Sequence, residues 1–222
     1  MSILTLSGWG TPADAVANTI APDAIRFDYS DYADLDEAME ALRTFQGIDH
    51  VIGWSLGGQL ALHALAAGAL NPSKLTLIAT PFQFVKGGSV QQGMDRFTFD
   101  TFRENYTQAP ERTATRFNGL VAKGDRQMRA VMSKLDLHAQ VTDTNRWLPW
   151  LDSLDHDSVA KLALHGMPPT TIIHGSEDGI VPVAQAQLLA SALPDARVEI
   201  WEGVAHAPHL HDAARLMERS AA

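Results

Sequence analysis

Short apolar, β-branched runs alternate along the chain with longer stretches of helical period. The runs are ILTLSG (3–8), IRFDYS (25–30), HVIGWS (50–55), LTLIAT (75–80), TTIIHG (170–175) and VEIWEG (198–203). Between most of them lie segments such as LDEAMEALRTF (35–45), GGQLALHALAAGAL (57–70) and PVAQAQLLASAL (182–193). Strands that are apolar almost throughout need cover on both faces, and a helix after each strand supplies it. The pattern predicts an α/β architecture with a mostly parallel sheet of about six strands and helices on both faces. The alternation stops between about 82 and 166, where KGG (86–88), NGL (118–120), AKGD (122–125) and WLPWLDSL (147–154) give a helical but irregular pattern. A structureless connection of that length is rare inside a compact domain. We therefore expect a helical cap over the strand ends, inserted into one domain spanning residues 1–222.

Composition narrows the chemistry. The 222 residues are 45% apolar, enough for one core of ordinary size. There is no cysteine, so disulfides and cysteine-based metal sites are excluded. The start, MSILTLSGWG, carries no basic leader, and nowhere do 18 apolar residues run together, so a cytoplasmic protein without a membrane span is expected. A net charge of −9 argues against general nucleic-acid binding, which needs clustered Lys and Arg. The charge is uneven: from Arg103 to Lys134 seven basic residues face three acidic ones, a local balance of +4.

The pentapeptide Gly53-Trp54-Ser55-Leu56-Gly57 has the form G-x-S-x-G and lies where a strand is expected to turn into a helix. In that context it reads as a nucleophile elbow, whose glycines make room for a very tight turn and leave the serine Oγ exposed. A plain tight turn and a dinucleotide fingerprint are the alternatives, but G-x-G-x-x-G is not matched. A serine nucleophile needs a base, and the base needs an orienting acid. TTIIHG runs into SEDGIVP and places Asp178 just past a strand; VEIWEG runs into VAHAPH and places His206 likewise. Ser55, Asp178, His206 is the serine, acid, histidine order of the α/β-hydrolases. Glu177, Asp155 and Asp157 are fallback acids. His209 and His211 lack the helical spacing of a zinc site and read as bystanders, so no metal or cofactor is expected. His50, His63, His138, His156, His165 and His174 show no comparable context. For the oxyanion, the Leu56 amide at the helix start is one donor, and the Trp9 amide in Gly8-Trp9-Gly10 is a second; the Trp9 indole is either a pocket wall or an ordinary buried ring.

On these residues the chain resembles the α/β-hydrolase superfamily over nearly its whole length. Within it, GWG (8–10), GWSLGG (53–58), RTATRF (112–117), DGIVP (178–182) and AHAP (205–208) are similar to the pimeloyl-acyl-carrier-protein methyl ester esterases of biotin synthesis. The resemblance implies an α/β-hydrolase fold and hydrolysis of a carrier-bound ester. Ser55 would attack, His206 shuttle the proton, Asp178 orient it, and Trp9 and Leu56 hold the oxyanion. It further implies acyl-chain contacts at Phe117, Asn118, Gly119, Leu120 and Val121. Cap arginines Arg112, Arg116, Arg126 and Arg129 would grip an acidic acyl-carrier protein; Arg112 and Arg116 are four apart and Arg126 and Arg129 three apart, so each pair can share a helical face. A solvated helix surface is the competing account of those arginines. Three features depart from the family pattern. Ser7-Gly8 replaces the usual His-Gly, the usual N-terminal hairpin does not precede the first strand, and the loop after the second strand is reduced to YSDYADLD (29–36). A monomeric esterase is expected; a generic short-chain carboxylesterase, a thioesterase and a catalytically silent binding protein of the same fold remain alternatives.

Overall fold

The computed structural model describes residues 1–135 and 139–221. Its elements, in order, are β1 (Ile3–Leu6), α1 (Ala17–Ile20), β2 (Ile25–Arg26), α2 (Leu35–Leu42), β3 (His50–Trp54), α3 (Leu56–Ala66), β4 (Lys74–Ile78), α4 (Arg96–Gln108), α5 (Pro110–Ala122), α6 (Met128–Lys134), α7 (Thr144–His156), β5 (Thr170–Gly175), α8 (Ala184–Ala192), β6 (Ala196–Trp201), α9 (Pro208–His211) and α10 (Ala213–Ala221). Six strands form one sheet in the order β2-β1-β3-β4-β5-β6, and every neighbouring pair is parallel. The central strands are the continuous apolar runs: Val51, Ile52, Leu75, Leu77, Ile172 and Ile173 are almost wholly buried, as expected for a sheet covered on both sides. Since all strands point one way, the loops leaving β3, β5 and β6 emerge along the same edge.

The second strand is shorter than the pattern IRFDYS suggests. Both residues of β2 are exposed at the sheet edge, and Asp28 turns the chain away from the ladder. Its carboxylate accepts the Ser30 N–H (3.1 Å) and Ser30 hydroxyl (2.5 Å), starting a single 3₁₀ turn over Tyr29–Asp31. The same carboxylate receives Arg146 of α7 at 3.0 Å, so this edge supports the long β4–β5 connection.

That connection carries α4 to α7. Its helices are joined by paired charges with two-point geometry: Arg103 to Asp152 at 2.5 and 2.7 Å, and Arg96 to Asp155 at 2.6 Å on each nitrogen. Trp147 and Trp150 of α7 are buried against Tyr29, fixing the helices over the sheet edge. No helix among the described residues is long and apolar enough to cross a membrane.

Candidate active site

The chain leaves β3 and enters α3 through Ser55, whose φ of 54° and ψ of −120° lie outside the regions an L-residue ordinarily occupies. Such a conformation costs about 1–3 kcal/mol and persists only where its surroundings enforce it. The enforcement is visible: the Ser55 N–H bonds the Ile78 carbonyl at 2.8 Å, anchoring the turn to β4. Gly57 permits it, because a Cβ there would run into the main chain of Leu6 and Ser7, where β1 ends.

Ser55 Oγ lies 3.0 Å from His206 Nε2, and His206 Nδ1 lies 2.7 Å from Asp178 Oδ2. Asp178 is buried, and its other oxygen accepts the N–H groups of Ile180 and Val181, both at 2.9 Å. Burial alone would raise the Asp178 pKa, but His206 and a second histidine, His174, outweigh it and hold the carboxyl well below the usual carboxylate range. The acid is therefore charged at any working pH, and it fixes the imidazole with its N–H on Nδ1 and the Nε2 lone pair toward the serine.

His206 is positioned through its main chain as well. Its N–H donates to the Val121 carbonyl (3.2 Å) and its carbonyl accepts the Trp54 indole N–H (2.8 Å). The fallback acids stand elsewhere: Glu177 is exposed and accepts the Ser176 hydroxyl, Asp155 is engaged by Arg96, and the Asp157 carbonyl accepts from Gln59 and His63. Among the described residues neither the Trp9 main-chain N–H nor the Leu56 main-chain N–H has an acceptor within the protein. Leu56 opens α3, whose dipole adds positive potential beside Ser55.

A cavity of about 220 Å³ opens over Ser55, bounded by Trp9, Phe84, Phe102, Phe117, Leu120, Leu151, Leu154 and Ile180 among others. The Trp9 ring meets Phe102 and Phe117 edge to face at 5.8 and 5.5 Å between centroids, and its N–H bonds the Trp147 carbonyl at 2.9 Å, so it is a fixed wall. Of the five residues expected at the acyl chain, Phe117 and Leu120 line this space. Asn118, Gly119 and Val121 do not, because only one stripe of α5 meets the cavity; Val121 instead contributes its carbonyl to His206.

Arg112 and Arg116 lie one turn apart on the exposed side of α5. Arg126 and Arg129 do not share a helical face: α6 begins only at Met128, and Arg126 sits in the preceding turn with its N–H on the Gly203 carbonyl (2.9 Å). All four arginines are exposed, and among the described residues none has an ion-pair partner.

Three histidines have environments that the sequence does not reveal. His174 Nε2 donates to the Val181 carbonyl at 2.9 Å and lies 3.3 Å from Asp178 Oδ2, so it touches the acid. His209 is buried with its ring 4.5 Å from Trp54, and His211 Nδ1 bonds Asp125 at 2.8 Å; neither is a loose surface group. His138 lies outside the described residues. Among the described residues no three His, Cys, Asp or Glu side chains are grouped as a metal site. The cavity residues on α4 and α7 carry no signal in the sequence beyond apolarity; their role comes from packing.

Comparison with known proteins identifies the family. The model of the alpha/beta hydrolase family matches residues 3–219. The chain is 32% identical over 181 residues to a pimeloyl-[acyl-carrier protein] methyl ester esterase of Aromatoleum aromaticum, covering 76% of this chain and 72% of that one. It is also 32% identical over 201 residues to the biotin biosynthesis bifunctional protein BioHC of Teredinibacter turnerae; 82% of this chain is covered, but it spans only 35% of that longer protein. Among solved structures, an esterase from Exiguobacterium antarcticum superposes with a TM-score of 0.77 at 18% identity, covering 98% of this chain and 89% of that one. With a six-stranded parallel sheet, a strained serine turn and a family match along nearly its whole length, the chain belongs to the alpha/beta hydrolase family and is an ester hydrolase.

Proposed function

We propose that Ser55, His206 and Asp178 form a catalytic triad that cleaves a carboxylic ester through an acyl-enzyme, and that the substrate is the methyl ester of a pimeloyl group carried on acyl-carrier protein. The observation that carries the mechanism is the continuous contact from Ser55 Oγ to His206 to Asp178 at the floor of an apolar cavity. His206 Nε2 takes the hydroxyl proton as Oγ bonds to the ester carbonyl carbon. The carbonyl oxygen becomes an oxyanion facing the N–H groups of Trp9 and Leu56. Collapse breaks the bond to the methoxy oxygen, which leaves as methanol with the proton from His206. A water molecule then gives a proton to His206 as its oxygen bonds to the acyl carbon; the bond from that carbon to Ser55 Oγ breaks and His206 returns the proton to Oγ, leaving the free acid and Ser55.

The substrate assignment draws on the relatives' names and on the helices between β4 and β5. In this reading those helices are a cap: Phe117 and Leu120 meet the acyl chain on its inner side, while exposed Arg112, Arg116, Arg126 and Arg129 form a basic outer surface for an acidic carrier. The decisive experiment is growth rescue of a biotin auxotroph lacking its esterase. Rescue by the wild-type gene and none by Ser55→Ala is expected; rescue by both would refute the role of Ser55. With purified enzyme, Arg112→Glu/Arg116→Glu should raise KM for the carrier-linked ester about tenfold and leave p-nitrophenyl butyrate unaffected. Equal effects on both substrates would point to a general short-chain esterase.

A further inference from the structure

Between α5 and α6 the chain makes a turn that meets the histidine loop. Gly124, at φ +94°, reverses the backbone beside Glu177. Asp125 comes next, with its side chain fully buried. A buried carboxylate is destabilising unless its oxygens are matched by donors, and here they are. Oδ1 accepts the Gln127 N–H at 2.7 Å and His211 Nδ1 at 2.8 Å. Oδ2 accepts the N–H of Ala205, the residue before His206, at 3.1 Å. Two main-chain bonds flank this contact: Arg126 N–H to the Gly203 carbonyl at 2.9 Å and His206 N–H to the Val121 carbonyl at 3.2 Å. Residues 203–206 are thus bonded, nearly one after another, to residues 121–126.

We propose that Asp125 is a positioning residue for His206, setting the height of the 205–206 main chain through the Ala205 N–H, and that His211 on α9 holds Asp125 in place. The proposal rests on the reading of His206 as the general base. The Asp178 bond restrains the ring of His206; Asp125 restrains the backbone from which that ring projects. Removing its charge would let the 205–206 peptide drift, and a shift of about 1 Å in a reacting group can lower a rate about a hundredfold. Substrate contacts would be untouched, since neither Asp125 nor His211 lines the cavity.

The test uses the whole chain as parent, Asp125→Asn, His211→Gln and the double variant. Each is assayed with p-nitrophenyl butyrate, by the rate at which a fluorophosphonate labels Ser55, and by thermal melting. Asp125→Asn should lower kcat and the labelling rate about ten- to a hundredfold with KM within about twofold. His211→Gln should act in the same direction but less. The double variant should be no slower than Asp125→Asn alone, because His211 acts through Asp125. A folded Asp125→Asn enzyme with parental kcat overturns the proposal, as does a loss that appears in KM or losses that multiply in the double variant. If Asp125→Asn has no cooperative melt, folded His211→Gln decides: reduced kcat at unchanged KM supports the proposal, parental kcat overturns it. A parent that neither turns over the ester nor labels at Ser55 removes the triad reading itself, an outcome distinct from a labelled parent with unaffected variants.

Discussion

His209→Leu should change how stability depends on pH, in a direction and by an amount that the structure sets. The ring is wholly buried against Trp54, and neither nitrogen has a hydrogen-bond partner among the described residues. Burial first, then the neighbouring His206 and Lys134, lowers its pKa from 6.5 to about 3. In the unfolded chain the group titrates near its ordinary value. Between those two values the unfolded state binds a proton that the folded state refuses, so stability drops as pH falls through 6.5 toward about 3. At about pH 5 this group shifts the equilibrium toward the unfolded state by a factor of about 30, or about 2 kcal/mol; at about pH 7 its effect is small. Leucine cannot titrate and sacrifices no hydrogen bond. His50, also buried and lowered to about 4, is present in both proteins and cancels from the comparison. Urea unfolding at about pH 7 and about pH 5 gives the four free energies needed. The parent should lose about 2 kcal/mol more than the variant on acidification. Parallel losses would show that His209 is not held neutral, and the reasoning about its burial would be wrong.

Two further substitutions examine the elements that bring the site together. Gly57→Ala places a methyl group on the carbonyls of Leu6 and Ser7, main-chain atoms that cannot step aside; a loss of about 3 kcal/mol or more is expected by urea melting, and near-parental stability would refute the close approach of α3 to β1. Trp54→Phe removes the indole N–H from the His206 carbonyl while keeping a ring against His209; kcat for p-nitrophenyl butyrate should fall about tenfold with little change in KM, whereas unchanged kcat would mean that the bond does not set the position of His206.

The parts of the site that are legible in the sequence are those encoded in consecutive residues. G-x-S-x-G between an apolar run and a helical one states a backbone geometry, and the Ser55 φ of 54° is that geometry realised. Asp178 and His206 are legible because parallel strands deliver their C-terminal loops to one edge, so position after a strand is itself spatial information. Hidden from the sequence are contacts between residues distant along the chain. Asp125 and His211 are 86 positions apart, and their meeting depends on the packing of α6 against α9. His174 reads like any strand histidine, because its contact with Asp178 depends on how the Gly175–Asp178 turn folds back. The pairing of Arg126 with Arg129 fails for a local reason: Gly124 and Asp125 end one helix before the next begins, so a spacing of three no longer means one face.

The sheet order explains why so many main-chain bonds converge on His206. The serine lies just past β3 while the histidine lies past β6, the edge strand, and three strand spacings separate them, about 14 Å at about 4.8 Å each. The loop leaving Trp201 has to lean back across β5 and β4; Ser176 and Glu177, just past β5, hold only its first residues, Ser176 Oγ accepting the Gly203 N–H and Glu177 N–H donating to the Val204 carbonyl, both at 2.9 Å. Other groups supply what the ladder cannot: Asp178 from the end of β5, Trp54 from β3 itself, and Val121, Asp125 and Arg126 from above. Two of these anchors come from the sheet and three from the β4–β5 connection, so the helices that wall the cavity also fix the proposed base. The attachment of the β4–β5 connection to residues 203–206 is part of how the fold brings Ser55 Oγ within 3.0 Å of His206 Nε2.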